Sequence, residues 1–160
     1  MRVVPRQRLG LHVNFTVAWI ALVVTALDAM TKAWARHALA THAMHVVGFA
    51  WLRLEYNSGI SFSINASGAL LTTIVTLVVV VLVVVVGLQA APGLAEVGFG
   101  LLLGGGVANV LDRLAATPHQ VTDFVALGSF PVFNFADASI TIGFVLLLVA
   151  ALRGERLLAR

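Results

Sequence analysis

Cysteine is absent from the 160-residue chain. That excludes a thiol nucleophile, a thiolate metal site and any disulfide. Charge is scarce too: 11% of the residues are charged, against about 25% in an ordinary soluble domain. No low-complexity segment stands out beyond one Val-rich run, and no internal repeat is visible. The five histidines, His12, His37, His42, His45 and His119, are scattered. His42 and His45 have helix-like spacing but no third ligand nearby, and a solvated loop accounts for them better than a metal site does.

What is abundant is apolar: 60% of the chain. Composition therefore points to an integral membrane protein built as one domain over 1–160. The net charge of +3 invites a nucleic-acid reading. Most of the basic residues gather at the two ends of the chain, where they act as topogenic charges instead, so no nucleic-acid partner is expected. Little lysine among much Ala, Val, Gly and Arg fits a GC-rich bacterial genome and nothing finer.

A membrane helix needs about 20 mostly apolar residues. Four stretches qualify, at about 11–33, 69–88, 94–111 and 134–152. The first is too long and too charged for a cleaved signal peptide, since it carries Asp28 and Lys32. Arg2, Arg6 and Arg8 precede it; Arg153, Arg156 and Arg160 follow the fourth. The positive-inside rule then places both termini in the cytoplasm. Two segments, 35–68 and 113–133, fall on the outer face. Val46 to Tyr56 reads as one or two strands. The second segment is broken at Pro118, Gly128 and Pro131 and is expected to be a loop carrying Asp123.

The polar residues near the membrane converge on that outer boundary. Asp28 and Lys32 share a helix face, as do Asn109, Asp112 and Arg113, and as do Asn134 and Asp137. Asn57 and Asp123 lie in the outer segments. Asp28 with Lys32 is either a helix-end ion pair or a strut of an active site. Asp112 beside Arg113 reads as interfacial snorkelling or as part of a hydrogen-bonded network, and Asn109 on the same face favours the network. Gly104-Gly105-Gly106 permits close helix packing and is not a phosphate loop. Glu96 reads as an acid at a helix N-terminus, and Trp34 as an interfacial anchor. Asp123 and Asp137 resist a bland reading. Two carboxylates at one bilayer boundary are the simplest arrangement for acid–base hydrolysis, in which one takes a proton from water while the other holds one.

Five blocks carry a resemblance. Asp28-Ala29-Met30-Thr31-Lys32, Asn57 to Ser63, Gly104 to Arg113, Val121 to Phe124, and Phe133 to Ile140 follow one another in the order seen in the lipoprotein signal peptidase, or signal peptidase II, family. The chain resembles that family over nearly its whole length. The resemblance implies four transmembrane helices with a small extracytoplasmic β-containing segment, in a bacterial plasma membrane. It implies an aspartic endopeptidase with Asp123 and Asp137 as the catalytic pair. Asn57, Asn109, Arg113 and Asn134 would line the site, supported by Asp28 and Lys32. The substrate would be a diacylglyceryl-modified prolipoprotein, cleaved before its lipidated cysteine, with membrane lipids as surroundings. No metal or cofactor is implied, and globomycin-type peptides would inhibit.

The chain departs from the family pattern at Ser61, where Ala is usual, and at Gly106 and Ala108, which stand in place of Ala and Gly. The methyl of Ala108 puts the packing beside Asn109 in question. The short connection between the two aspartates does the same for their ability to meet. The rival readings are a noncatalytic relative, or a small ion- or lipid-binding transporter using Asp137 and Asp28. Against the transporter, such sites lie near the midplane.

Overall fold

A computed structural model describes residues 14–58, 66–116 and 119–159. Arg2, Arg6, Arg8, Ser61, Pro118 and Arg160 lie outside them. Four helices are present: α1 (Phe15–Ala38), α2 (Ala66–Gly87), α3 (Leu94–Ala115) and α4 (Phe135–Leu152). All four are long and apolar enough to cross a membrane. Helices of 18 to 24 residues are about 27–36 Å long, which matches a hydrocarbon core of about 30 Å. Three strands, β1 (Met44–Val47), β2 (Ala50–Asn57) and β3 (Val121–Leu127), form one antiparallel sheet in the order β1-β2-β3.

The helix ends follow from local chemistry. Asn14 caps α1, its Oδ1 accepting from the Thr16 and Val17 amides. Its Nδ2 donates to Glu96 Oε2 at 3.0 Å, and Glu96 Oε1 accepts from the Gly93 amide at 3.1 Å. Glu96 therefore begins α3, as expected, and also ties that helix to α1. At the same end of the bundle residues 157–159 pair with the α2–α3 turn, through Ala91 N–H to Leu157 O and Ala159 N–H to Gln89 O. The sheet lies at the other end.

Helix α3 is the central post, and its three consecutive glycines explain how. Successive helical positions turn by about 100°. A Cβ on Gly104 would meet Val24 and the Ala21 carbonyl of α1. One on Gly105 would meet the Ala136 carbonyl of α4 at 2.5 Å, and one on Gly106 would meet Val80 Cγ2 of α2 at 2.8 Å. Each glycine thus seats a different helix, which is the close approach the sequence suggests. Away from these seams the side chains face outward: most of the large apolar residues of α2 and much of α4 are exposed, as suits a lipid-facing surface.

Several boundaries differ from expectation. Helix α1 runs on to Ala38, so Lys32 lies within it and not at its tip. Helix α3 runs to Ala115, so Asp112 and Arg113 are helical. Asn134 is the cap of α4 and not its first residue. Asp123 is in the middle of a strand, not in a loop. Val121 to Leu127 forms that strand because it pairs with β2, Glu55 opposite Asp123 and Trp51 opposite Ala126. It is also covered by α1, with Phe124 packed on Ala35 and Leu39. His45 belongs to β1 and His42 to the loop before it, both exposed.

The glycine seams predict unequal costs. Gly105→Ala forces a methyl against backbone and should destabilise by about 1–3 kcal/mol. Gly106→Ala meets only the tip of a side chain on α2 and should cost less. Thermal unfolding of the two variants in detergent checks the order.

Candidate active site

All eight residues singled out from the sequence lie at the sheet end. Asp28 and Lys32 come from α1, Asn109 and Arg113 from α3, and Asn57 from the end of β2. Asp123 comes from β3, and Asn134 and Asp137 from the start of α4. The connection between the aspartates is short, but it folds back on itself. Gly128 turns the chain at φ 54°, and Phe133 pairs with Val125. That return sets Asn134 beside Asp123.

Asn134 then touches both acids. Its Nδ2 donates to Asp123 Oδ1 at 2.7 Å, and its Oδ1 accepts from the Asp137 amide at 2.9 Å. Asp137 Oδ2 accepts in return from the Asn134 amide at 3.1 Å, which completes a capping box. Asn109 donates from Nδ2 to Asp137 Oδ1 at 2.8 Å. Asn57 donates to Asp123 Oδ2 at 3.0 Å. Asp123 is buried and Asp137 half-buried.

Behind the pair stands a charged cluster. The Lys32 ammonium, 2% exposed, lies 2.7 Å from Asp28 Oδ2 and 3.4 Å from Asp112 Oδ2. It donates to Asn109 Oδ1 at 2.9 Å. Asp28 Oδ1 accepts from the Ala136 amide at 2.9 Å. Asp28 and Lys32 are therefore an ion pair and a strut at once. Asp112 was not counted among the site residues, yet it joins Lys32, Arg36 Nη1 at 3.1 Å and the Thr122 amide at 2.7 Å. Arg36 also reaches Thr122 Oγ1. The signal for both was present: Asp112 follows Asn109 by three residues and Arg36 follows Lys32 by four, on the same faces. This cluster favours the network over snorkelling for Asp112.

Arg113 is buried, and its Nε has no hydrogen-bond partner among the described residues. Nor does its guanidinium make an ion pair among them. A buried donor left open costs about 1–3 kcal/mol and is worth keeping where a ligand supplies the acceptor. Beside Asp137 an apolar cavity of about 460 Å³ is lined by Leu127, Phe130, Phe133, Ala138, Thr141 and Ile142.

Burial pushes the Asp123 carboxyl up to about 6. The hydrogen bond from Asn57 opposes that shift, the negative charge of Asp137 adds to it, and Asn134 and Lys32 oppose it. A carboxyl that titrates near neutrality beside a second carboxylate suits acid–base work.

The family model for signal peptidase (SPase) II matches residues 20–153. The chain belongs to the signal peptidase II family. A lipoprotein signal peptidase of Gloeobacter violaceus is 41% identical over 145 residues, covering 86% of this chain and 82% of that one. One from Mycobacterium leprae is 32% identical, covering 94% of this chain and 75% of that one. A solved bacterial membrane enzyme superposes with a TM-score of 0.74 at 27% identity, covering 89% of this chain and 97% of that one. Another gives 0.65 at 28% identity over 86% and 88%. Family membership makes the chain a peptidase, and with its four apolar helices a multi-pass bacterial membrane protein.

The Asp123 shift has a sign that stability must follow. A folded-state pKa of about 6 above an ordinary 3.8 means the folded protein binds the proton more tightly. The associated stability is fully present below the unfolded value and is lost as pH rises through about 6, by up to about 3 kcal/mol. Melting temperature should fall between pH 4 and pH 7, and the slope should flatten in Asp123→Asn. An equal slope in that variant overturns the assignment.

Proposed function

We propose that the chain is one membrane peptidase domain that removes the signal peptide of a diacylglyceryl-modified prolipoprotein, cutting before the lipidated cysteine. The observation that carries this reading is Asn134, hydrogen-bonded at once to the side chain of Asp123 and the backbone of Asp137. It holds two carboxylates from different elements around one space.

Asp123, deeper and titrating near 6, holds the shared proton and donates a hydrogen bond to the scissile carbonyl oxygen. Asp137, half-buried beside the apolar cavity, takes a proton from water. The hydroxide adds to the carbonyl carbon. Collapse breaks the C–N bond, and the departing nitrogen receives a proton from the pair. Water supplies one hydrogen to the amine and its OH to the acid, so no covalent enzyme intermediate is needed. The free Nε of Arg113 orients a substrate carbonyl. The cavity beside Asp137 takes an apolar part of the substrate, with shape mattering more than affinity because a lipid already leaves a lipid.

Lys32 acts behind the pair. It holds Asn109 Oδ1, so the amide nitrogen must face Asp137. Asp28 fixes the start of α4 through the Ala136 amide. The orientation proposed is sheet and site outside, termini inside. In support, Asn14 and residues 157–159 meet the α2–α3 turn at the end opposite the sheet, and Arg153 and Arg156 lie there as well.

The test is cleavage of a diacylglyceryl prolipoprotein in proteoliposomes, blocked by a globomycin-type peptide. Asp123→Asn and Asp137→Asn should each lose roughly 10²–10⁴-fold in rate while remaining in the membrane. Full activity in either overturns the dyad, and solute flux without cleavage favours a transporter. Lys32→Met should lower kcat by about 10²-fold with KM nearly unchanged, because it misplaces a reacting group without removing a substrate contact.

A further inference from the structure

Two uncharged stretches of chain meet at one edge of the sheet. From Ala38 to Leu52 the only ionisable side chains are His42 and His45, and from Phe124 to Ala136 there is none. The β1–β2 turn, at Gly48 and Phe49, lies against the connection from β3 to α4. The Gly128 amide donates to Phe49 O at 3.0 Å, and the Phe49 ring packs over Gly128. Val46, Val47, Phe49 and Phe130 are 56%, 70%, 71% and 62% exposed.

This edge is continuous with a surface that faces lipid. Phe130 stacks edge-on against Phe133 at 5.9 Å, and both line the cavity that reaches Thr141 and Ile142 on α4. Ile142 is exposed and lies seven residues beyond Phe135, about 10 Å down a helix that crosses the bilayer. A mostly apolar surface therefore runs from the flank of α4 up to the hairpin tip, with Asp137 as the one acid on the lining of the cavity between them. On β2 the next charge is Arg53, which lines a second cavity with Phe49 and Gly128 and pairs in the open with Glu55 at 3.5 Å.

Strand β1 is one edge of the sheet; β3, the other, is bridged on its outer side by Phe133. In water such an edge is guarded by shortness, a bulge, lysine, proline or inward charge; this one is four residues long with a register shift between His45 and Val47, but Met44-His45-Val46-Val47 carries no lysine, proline or carboxylate. Trp51, stacked on His45 at 4.6 Å, adds the ring type that marks a membrane interface. We propose that the Val46–Phe49 tip, together with Phe130, is inserted in the leaflet on the sheet's side of the membrane, and that lipid is what covers it. The tip then fixes the height of the sheet, and of Asp123 in β3 with it, over the bilayer. Continuity with the lipid-facing flank of α4 favours lipid over a second copy of the chain or an apolar peptide.

The absence of cysteine makes the test clean. Phe49→Cys and Arg53→Cys, each carrying a nitroxide, are placed in phosphatidylcholine vesicles. Relaxation by oxygen, which enters lipid, is compared with relaxation by a water-soluble nickel chelate. Insertion requires oxygen to dominate at position 49, by several-fold relative to position 53. Nickel dominating at both positions overturns the proposal. So does protection from both reagents at 49, which means protein covers the tip; loss of that protection on dilution into excess lipid identifies a second copy. Val47→Cys replaces Phe49→Cys if the latter does not fold. No substrate is present, so failure here leaves the peptidase reading untouched.

Discussion

One buried ammonium organises the sheet end of this molecule. Lys32 is surrounded by two carboxylates and an amide oxygen. A charge removed from water is tolerable only where such partners replace the water. The partners are themselves attached elsewhere. Asp28 holds the Ala136 amide at the start of α4, Asp112 holds the Thr122 amide in β3, and Asn109 belongs to α3. Through one side chain α1 is coupled to every element that carries a site residue except β2. Truncating it would leave several buried acceptors unmatched, not merely remove one ion pair.

The same ammonium settles which way the amides face. Asn109 has its oxygen committed to Lys32 and its nitrogen left for Asp137; Asn134 has its oxygen committed to the Asp137 amide and its nitrogen left for Asp123. Both aspartates are thus met by donors, and for Asp123 these favour negative charge in a place where burial disfavours it. In Asp123 burial prevails, and its titration near 6 is the outcome of that contest. The stability given up by keeping this acid buried is the counterpart of having it titrate where a peptidase can use it.

Much of this was legible in the sequence and some was not. The four spans, the presence of strand within Val46 to Tyr56 and the convergence of polar groups follow from hydropathy, β propensity and helix spacing, which are local properties. Strand β3 does not. Val121-Thr122-Asp123-Phe124-Val125 carries a carboxylate at its centre, and its faces do not alternate because both are largely covered. Only pairing with β2 makes it a strand. Asp112 was visible as a polar residue, but its role rests on partners in α1 and β3. The Lys32–Asn109 and Asp28–Ala136 contacts span 77 and 108 residues, beyond any periodicity. The resemblance supplied the roles of residues; the distances that make those roles physical came from the fold.

The unusual small residues of α3 can be judged in the same terms. Ala108 raised the question of crowding at Asn109. Its methyl is buried, and it lines a groove toward α1 with Thr25, Ala29 and Leu111. Asn109 still makes bonds of 2.8–3.2 Å to Lys32, Asp137 and Asn134. Gly106 faces α2, where a Cβ would meet only Val80 Cγ2. Of the three consecutive glycines, Gly104 and Gly105, facing α1 and α4, cannot grow, because backbone carbonyls stand where a methyl would go. Ala136 is the telling case. Its carbonyl abuts Gly105, and its amide is the donor that Asp28 holds. Moving the first turn of α4 away from Asp28 by more than about 0.5 Å would stretch this 2.9 Å bond past the range in which hydrogen bonds hold. The bare backbone of α3 thereby sets how closely the Asp28 carboxylate of α1 can hold the first turn of α4.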